Sequence, residues 1–314
     1  METRSDKAGG CAVHSVHEFV FSVPDLAQAV HFYDSFGLDT RMEDGALALY
    51  TKGNPHRWGR IYPGPEKSLL WLTLGIFADE VAAFEARFAA LGIERIAAPP
   101  GADPAGIWIS APDGLPLCLL VAPKTSPSAS PVRTFTPESG SAGRAPRRSE
   151  LRKVHPRHLS HILLFTPDVG VGIDFYSRVL GLRLSDRSGD IVAFLHSPHG
   201  SDHHLVAFAK SHSYGLHHSS WDVASFDDIG AGTQQMTEAG YPHGWGIGRH
   251  VLGSNYFRYV RDPWGSYAEY SFDIDFIPPT LEWAAGDYAP EDSLYVWGPV
   301  VPAEFIENHE RHGV

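Results

Sequence analysis

The chain has little of what several classes of protein require. Only two cysteines, Cys11 and Cys118, occur among its 314 residues, which excludes a disulfide framework and fits a reducing cytoplasm. No apolar run approaches the roughly 18 residues that a membrane-spanning helix needs. The charged N-terminus, METRSDKAGG, lacks the apolar segment of a signal peptide. We therefore expect a cytoplasmic protein with no membrane partner.

Basic charge is also scarce. The 25 Lys and Arg residues are outnumbered by 37 Asp and Glu, for a formal net charge of −12. Such a chain is a poor partner for nucleic acid, whose phosphates attract basic surfaces. The chain does have a hydrophobic fraction of 43%, typical of a folded globular protein, and 18 histidines. That number of histidines justifies a search for metal-binding geometry.

The beginning of the chain is repeated near its middle. Residues 17–38 (HEFVFSVPDLAQAVHFYDSFGL) and 160–182 (SHILLFTPDVGVGIDFYSRVLGL) both predict an apolar strand, a Pro-Asp turn, a helix and a Gly-Leu stop. The ends of the two halves are also alike, since APDGLPLCLL (111–120) resembles RDPWGSYAEY (261–270). The chain is therefore predicted to be a duplicated domain with a linker rich in Pro, Ser and Arg.

Each half contains a strand–helix–three-strand scheme twice, which predicts an α+β fold of four βαβββ modules in two domains. We expect an N-terminal domain over residues 1–122, a linker over 123–156, a C-terminal domain over 157–276 and an extension over 277–314. One predicted strand, HHLVAFAK (203–210), would direct His203 and His204 to opposite faces of its sheet.

Three side chains suited to binding a metal fall on these predicted strands. His161 lies on the first strand of the third module, His218 on the first strand of the fourth and Glu269 on its last. Singly, each is more often a satisfied core residue, but two histidines and one carboxylate with open positions left over form the facial triad of non-haem Fe(II). The aligned residues of the first half are Glu18, a position near Trp71, and Cys118. We therefore expect one metal ion per chain, in the C-terminal domain, with the N-terminal domain holding none.

The segment GRHVLGSNYFRYVRDPWGSYAEYSFD (248–273) resembles the signature of type I extradiol ring-cleavage dioxygenases, of the vicinal oxygen chelate superfamily. The matching residues are Gly248, His250, Tyr259, Asp262, Pro263, Gly265 and Glu269. Arg258 departs from the pattern, which prefers an apolar residue there, and we expect its side chain to point outward from the strand. The resemblance spans about residues 14–275 in architecture and implies mixed sheets curled around a metal cleft.

The resemblance implies that His161, His218 and Glu269 hold Fe(II), with Mn(II) as the alternative. By sequence alone His217 competes with His218. His218 fits better, because the family places its ligand four residues before a polar strand position, here Asp222, and His217 would then point to the opposite face of the strand.

The resemblance further implies catalytic roles for His204, His250 and Tyr259. His204 would be the acid–base residue, with its neighbour His203 as rival, while His250 and Tyr259 would hydrogen-bond the chelated diol and oxygen. Because adjacent strand residues face opposite ways, replacing His203 by Phe is expected to be nearly silent. Four further histidines are interpreted as loop residues with no partner that we can name: His196, His199, His212 and His243.

The implied activity is the opening of a single-ring catechol or trihydroxybenzene with both atoms of O₂, in aromatic-compound catabolism. The extension (277–314) resembles that of single-ring extradiol enzymes, such as some catechol 2,3-dioxygenases and trihydroxytoluene oxygenase. We expect it to wrap the cleft or to form a contact in a homo-oligomer. Two other classes stay open: a metal-dependent glyoxalase- or isomerase-like enzyme, which usually adds a fourth protein ligand, and a non-catalytic binding protein of the bleomycin-resistance type, which typically has two modules.

Overall fold

The structure is a computed structural model that describes residues 10–131 and 145–310. Within these residues, two large mixed sheets, one in each half, and four α-helices form the fold, which confirms the predicted α+β class. The first half contains β1 (Ser15–Val23), α1 (Leu26–Phe36), β2 (Asp39–Glu43), β3 (Ala46–Tyr50), β4 (Arg57–Pro63), β5 (Ser68–Ile76), α2 (Val81–Leu91), β6 (Ile107–Ser110) and β7 (Pro116–Val121).

The second half follows the same order with two additional strands. It contains β8 (His158–Thr166), α3 (Val169–Arg178), β9 (Arg183–Ser188), β10 (Val192–His196), β11 (Ser201–Asp202), β12 (Val206–Lys210), β13 (Gly215–Asp222), α4 (Phe226–Glu238), β14 (Gly244–His250), β15 (Tyr256–Arg261) and β16 (Tyr267–Phe272). The additional strands are the short β11 and a third strand after the second helix, β14. The extension adds β17 (Phe276–Ile277), β18 (Gly286–Asp287) and β19 (Tyr295–Trp297).

The two sheets have the same strand order, which confirms the duplication. The first sheet runs β2-β3-β4-β1-β5-β7-β6, and the second runs β9-β10-β12-β8-β13-β16-β15-β14, with β18 and β19 at its edges. Three modules have all three strands after the helix. In the second module a single bridge, Arg95 to Ile109, stands where the first of these strands was expected. The segment between α2 and β6 contains Pro99, Pro100 and Pro104, which cannot donate to a strand ladder.

The repeated Pro-Asp turn forms the start of a helix in each half. Asp25 accepts hydrogen bonds from the amides of Ala27 and Gln28 at the N-cap of α1, and Asp168 accepts one from Val171 at the N-cap of α3. The Gly-Leu stop of the first repeat has a packing reason. Gly37 has φ of 102°, and a Cβ there would lie 2.0 Å from the carbonyl oxygen of Val154, so only glycine fits.

Equivalent strands place the aligned residues of the two halves at equivalent positions. Glu18 and His161 are each the fourth residue of β1 and β8, and Trp71 and His218 are each the fourth residue of β5 and β13. Cys118 pairs with Thr73, as Glu269 pairs with Ser220. The alignment predicted for the halves is therefore confirmed by strand register.

None of the helices in the described residues is long and apolar enough to cross a membrane. The longest, α4, has 13 residues and one buried face that contains Ile229, Gly232 and Met236. This amphipathic pattern is that of a helix packed on a sheet.

Candidate metal centre and active site

Three side chains converge at one point on the second sheet, from the neighbouring strands β8, β13 and β16. His161 Nε2 lies 3.3 Å from Glu269 Oε2 and 3.3 Å from His218 Nε2, and His218 Nε2 lies 3.5 Å from Glu269 Oε2. Among the described residues, this is the one group of three or more His, Cys, Asp or Glu side chains close enough to share an ion. The structure thus brings together the three residues that the sequence predicts as ligands.

The donor atoms fit a divalent cation. Glu269 is fully buried, and within the described chain no donor reaches its Oε2 with good hydrogen-bond geometry. Burial acts to raise the pKa of Glu269, but His161 and His250 outweigh it, so the pKa lies below the usual value and the group is a carboxylate. Burial lowers the pKa of His218 well below its usual value, which keeps the imidazole neutral and able to donate a lone pair.

Hydrogen bonds behind both histidines fix which ring nitrogen is free. Ser160 Oγ donates to Asp202 Oδ2 at 2.7 Å, so at 3.3 Å it accepts the Nδ1–H of His161. His217 Nε2–H donates to the carbonyl of Phe305 at 2.8 Å, so its Nδ1 accepts from Nδ1–H of His218 at 2.7 Å. Both ligands are left with a lone pair at Nε2, the atom that faces Glu269.

The position of His217 corrects the expectation that it points away from His218. The pairing of β13 with β8 has a register shift at His217, and such a bulge breaks the strict alternation of faces. Its ring therefore lies beside that of His218, and burial lowers its pKa to about 4. His217 supports the predicted ligand instead of competing with it.

Glu269 has a further polar neighbour. The side-chain amide of Asn255 donates to Glu269 Oε1 at 3.1 Å and to Ser271 Oγ at 2.9 Å. Asn255 falls inside the signature segment, yet the sequence assigns it no role. It holds one carboxylate oxygen and leaves the other directed to the histidines, which is the usual function of a residue behind a metal ligand.

Two members of the cluster, His161 and His218, line a cavity of about 330 Å³. Much of the remaining wall is apolar, and its larger side chains are Leu163, Phe165, Ile191, Phe194, Leu252 and Ile306. A largely apolar pocket with a few convergent polar groups is the usual form of a small-molecule site.

His250 and Tyr259 lie together on the cavity wall. The Nδ1–H of His250 donates to the carbonyl of Leu294 at 2.7 Å, so its Nε2 accepts from the hydroxyl of Tyr259 at 2.9 Å. Burial raises the pKa of Tyr259 well above its usual value and lowers that of His250. Both groups are therefore neutral near pH 7, and the Tyr259 oxygen keeps a lone pair that can accept a further hydrogen bond.

His204 also lies on the cavity wall, with its ring centre 4.0 Å from that of His161. Burial lowers its pKa well below the usual value. The strand β12 starts only at Val206, so His203 and His204 do not alternate as strand residues do. Their Nδ1 atoms are 3.0 Å apart. The prediction that His203→Phe is nearly silent assumed that the two side chains face opposite sides of a strand, and that assumption is wrong.

The extension covers the cleft, which is one of the two roles expected for it. Pro290, Ser293, Leu294, Phe305 and Ile306 all line the cavity. Its C-terminal part is anchored by the buried Glu310, which accepts hydrogen bonds from the amides of Leu69 and Leu216 at 2.6 and 2.9 Å. A role in an oligomer contact stays a prediction.

Other sequence expectations differ from the structure in detail. Arg258 points away from the cavity, but it is buried, and it donates to the carbonyls of Gly246 and Pro242 at 3.1 and 2.8 Å. Three of the supposed loop histidines have partners: His196 with Ser185, His199 with Glu80 and Ala12, and His212 with Glu310. None of these contacts reaches the metal cluster, so they are structural.

The fold and the triad define a class of protein, and comparison with known proteins narrows it. Residues 158–270 match the family model of the glyoxalase/bleomycin resistance protein/dioxygenase superfamily. Metapyrocatechase 2 of Cupriavidus necator is 49% identical over 300 residues, which cover 95% of this chain and 93% of that protein.

Solved structures share the fold at lower sequence identity. The Mn(II)-bound glyoxalase of Novosphingobium aromaticivorans has a TM-score of 0.73 at 24% identity, with 95% of each chain covered. The 2,2',3-trihydroxybiphenyl 1,2-dioxygenase of Sphingomonas wittichii has a TM-score of 0.71 at 21% identity and covers 93% of this chain and 100% of its own. These two likenesses establish the fold alone, and they include both a glyoxalase and a dioxygenase.

The likeness to metapyrocatechase 2 decides between those classes, because it is close and extends over nearly the whole chain. The chain belongs to the extradiol ring-cleavage dioxygenases of the catechol 2,3-dioxygenase (metapyrocatechase) type, a metal-dependent family within the superfamily.

Proposed function

We propose that the protein opens a single-ring catechol or trihydroxybenzene with O₂ at an Fe(II) ion held by His161, His218 and Glu269. The observation that carries the proposal is the convergence of three buried ligand atoms, within 4.8 Å of one another, beside an apolar cavity. Fe(II) in this set supplies Lewis acidity toward the two diol oxygens and electron density for the reduction of O₂.

The protein's own groups bind and orient the diol. Tyr259 keeps an oxygen lone pair toward the cavity for a diol hydroxyl, and its own proton is directed to His250 Nε2. His204 is the group proposed to take a proton from the diol and return it during O–O cleavage. The apolar wall and the extension exclude water, which would otherwise compete for the open metal positions.

The size of the cavity favours one aromatic ring. An apolar cavity of roughly 150 Å³ holds benzene, so about 330 Å³ accommodates a substituted ring together with O₂. The name of metapyrocatechase 2 also denotes action on a catechol. We expect higher kcat/KM for methylcatechols than for 2,3-dihydroxybiphenyl, and the reverse preference would contradict the single-ring proposal.

The test uses the full chain loaded anaerobically with Fe(II) and mixed in air with a panel of catechols. We expect oxygen uptake together with the yellow ring-opened product, and neither signal from metal-free protein. Loading with Mn(II) in parallel decides the metal, since the more active form identifies it. Absence of both colour and oxygen uptake across the panel would overturn the proposal. A cytoplasmic location and a homo-oligomeric state stay predictions.

A further inference from the structure

His203 lies behind His204 and is itself held by a carboxylate. His203 is fully buried, and its Nε2 lies 2.8 Å from Asp186 Oδ2 on β9. Because a carboxylate oxygen only accepts, Nε2 of His203 carries a proton and donates it. The opposite nitrogen of the same ring, Nδ1, lies 3.0 Å from Nδ1 of His204. The three side chains thus form a continuous chain that ends at the cavity.

The surroundings of the chain keep it in place. Asp186 is buried, and its other carboxylate oxygen accepts the amide of Gly286 in the extension at 2.7 Å. The ring of Trp283, also in the extension, packs edge-on against His203 at 5.3 Å, and the main-chain amide of His203 donates to the carbonyl of Asp275 at 2.6 Å. Asp186 and His203 are therefore both held in place by the extension and by Asp275.

We infer that Asp186 and His203 are positioning residues that hold His204 with its proton on Nδ1 and its Nε2 lone pair open. The two facing Nδ1 atoms share one proton, and neutral His203 accepts at Nδ1 once its Nε2–H is bonded to Asp186. The arrangement parallels His217 and His218, where a carbonyl takes the place of the carboxylate. This inference rests on the acid–base role proposed for His204.

The consequence for the reaction follows from the tautomer. A His204 ring with Nε2 unprotonated can accept a proton from the diol, whereas the opposite tautomer presents an N–H and cannot. Loss of His203 would leave His204 able to turn or to adopt either tautomer.

The first test reads the tautomer without using activity. The full chain is labelled with ¹⁵N-histidine and loaded with Zn(II) as a diamagnetic metal, and long-range ¹H–¹⁵N spectra are recorded, with the His204 signals assigned by subtraction of the His204→Phe spectrum. We expect Nδ1–H in the parent protein and a mixture of tautomers in His203→Phe. An Nε2–H signal for His204 in the parent, which a doubly protonated His203 would impose, overturns the inference.

The second test uses the iron-loaded enzyme. We expect His203→Phe to retain iron and KM while kcat falls about 10- to 100-fold, as for other residues that orient a functional histidine. His203→Gln keeps one donor and one acceptor and should recover most of kcat. The matched control is Ser185→Ala, which removes a buried hydrogen bond to the main-chain carbonyl of His203 and leaves the chain of rings intact.

The outcomes separate the two proposals. If His204→Phe leaves kcat unchanged, the acid–base role of His204 fails, whatever tautomer the spectra show. If kcat falls in His204→Phe but not in His203→Phe, the positioning role of His203 fails and the role of His204 stands. The same conclusion follows if Ser185→Ala loses as much kcat as His203→Phe.

Discussion

The two halves of the chain form sheets with the same strand order, but the side chains at the centres of the two sheets differ in chemistry. In the second half the ligand atoms of His161, His218 and Glu269 lie within 4.8 Å of one another. In the first half the carboxylate of Glu18 stands where His161 does, and it accepts hydrogen bonds from Arg57 Nε at 2.7 Å and from Arg60 Nη2 at 2.7 Å. Two covalently attached positive charges thus lie beside the residue that corresponds to a proposed metal ligand.

The other aligned positions of the first half are occupied by a large aromatic side chain and an uncharged thiol. Trp71 stands at the position of His218 and is buried. The guanidinium carbon of Arg60 lies over it, 5.5 Å from the centre of the Trp71 ring. Burial raises the pKa of Cys118 to about 12, so it stays a thiol and not the thiolate that binds metals. The remaining space is about 110 Å³, against about 330 Å³ in the second half. The two halves therefore differ in charge and in free space as well as in the side chains that could bind a metal.

The largest expected effect breaks the contrast in metal content. His218→Ala removes one of the three proposed ligands and leaves His161 and the buried carboxylate of Glu269. We expect the iron content to fall from about one per chain to none. Cys118→Ala, at the position that corresponds to Glu269, should leave the iron content unchanged. Elemental analysis of anaerobically loaded protein measures both. Two tightly held ions per chain in the parent protein would contradict the asymmetry.

The next effect concerns the residue beside the first histidine ligand. Gly59 and Val206 occupy equivalent places in strand register, and Arg57 and His204 each precede them by two residues. We expect His204→Phe to retain iron and to bind the diol, while turnover falls by about 10²–10⁴, as for loss of a general acid–base group. Arg57→Gln should leave turnover unchanged. Steady-state oxygen uptake is measured with iron content on the same samples, and loss of iron in His204→Phe would make this residue a ligand.

A third prediction concerns the stability of the filled site. Glu18→Gln removes the carboxylate that the guanidinium groups of Arg57 and Arg60 share. Arg57 keeps a longer ion pair with Glu43 at 3.7 Å. We expect the free energy of unfolding to fall by about 2–3 kcal/mol, less than for a fully buried pair because Arg57 is partly solvated. Urea unfolding of the metal-free protein measures the change. Iron content and turnover should be unaltered, and a loss of either would mean that the first half supports the second site.

Sequence periodicity predicted the parts of the site that lie on regular strands. His161, His218 and Glu269 were found because a duplicated strand pattern repeats their positions, and strand register preserves that pattern. The orientation of His203 and His217 could not be found this way. One residue precedes its strand and the other lies in a bulge, so alternation between faces does not apply to either.

Contacts between segments distant in sequence could not be predicted from the sequence either. The carbonyls of Leu294 and Phe305 determine which nitrogen of His250 and His217 is protonated, yet a carbonyl has no sequence signal. The role of Asp186 depends likewise on how β9 is placed relative to His203, 17 residues further along the chain. Residue type and spacing identify ligands, whereas the groups behind them are known only from the folded arrangement.

The smallest expected effect concerns Tyr259, whose counterpart in the first half is Trp108, the strand partner of Cys118. Tyr259→Phe removes one hydroxyl and leaves the ring, which packs against Trp245 and Phe305. A neutral hydrogen bond contributes about 0.5–1.5 kcal/mol, so kcat/KM should fall by about tenfold or less, partly through KM because the hydroxyl is proposed to contact bound diol as well. Oxygen uptake over a range of catechol concentrations separates kcat from KM, and iron content should stay at one per chain. A fall comparable to that of His204→Phe, confined to kcat, would instead assign Tyr259 to proton transfer, since a neutral orienting hydrogen bond cannot account for so large a loss.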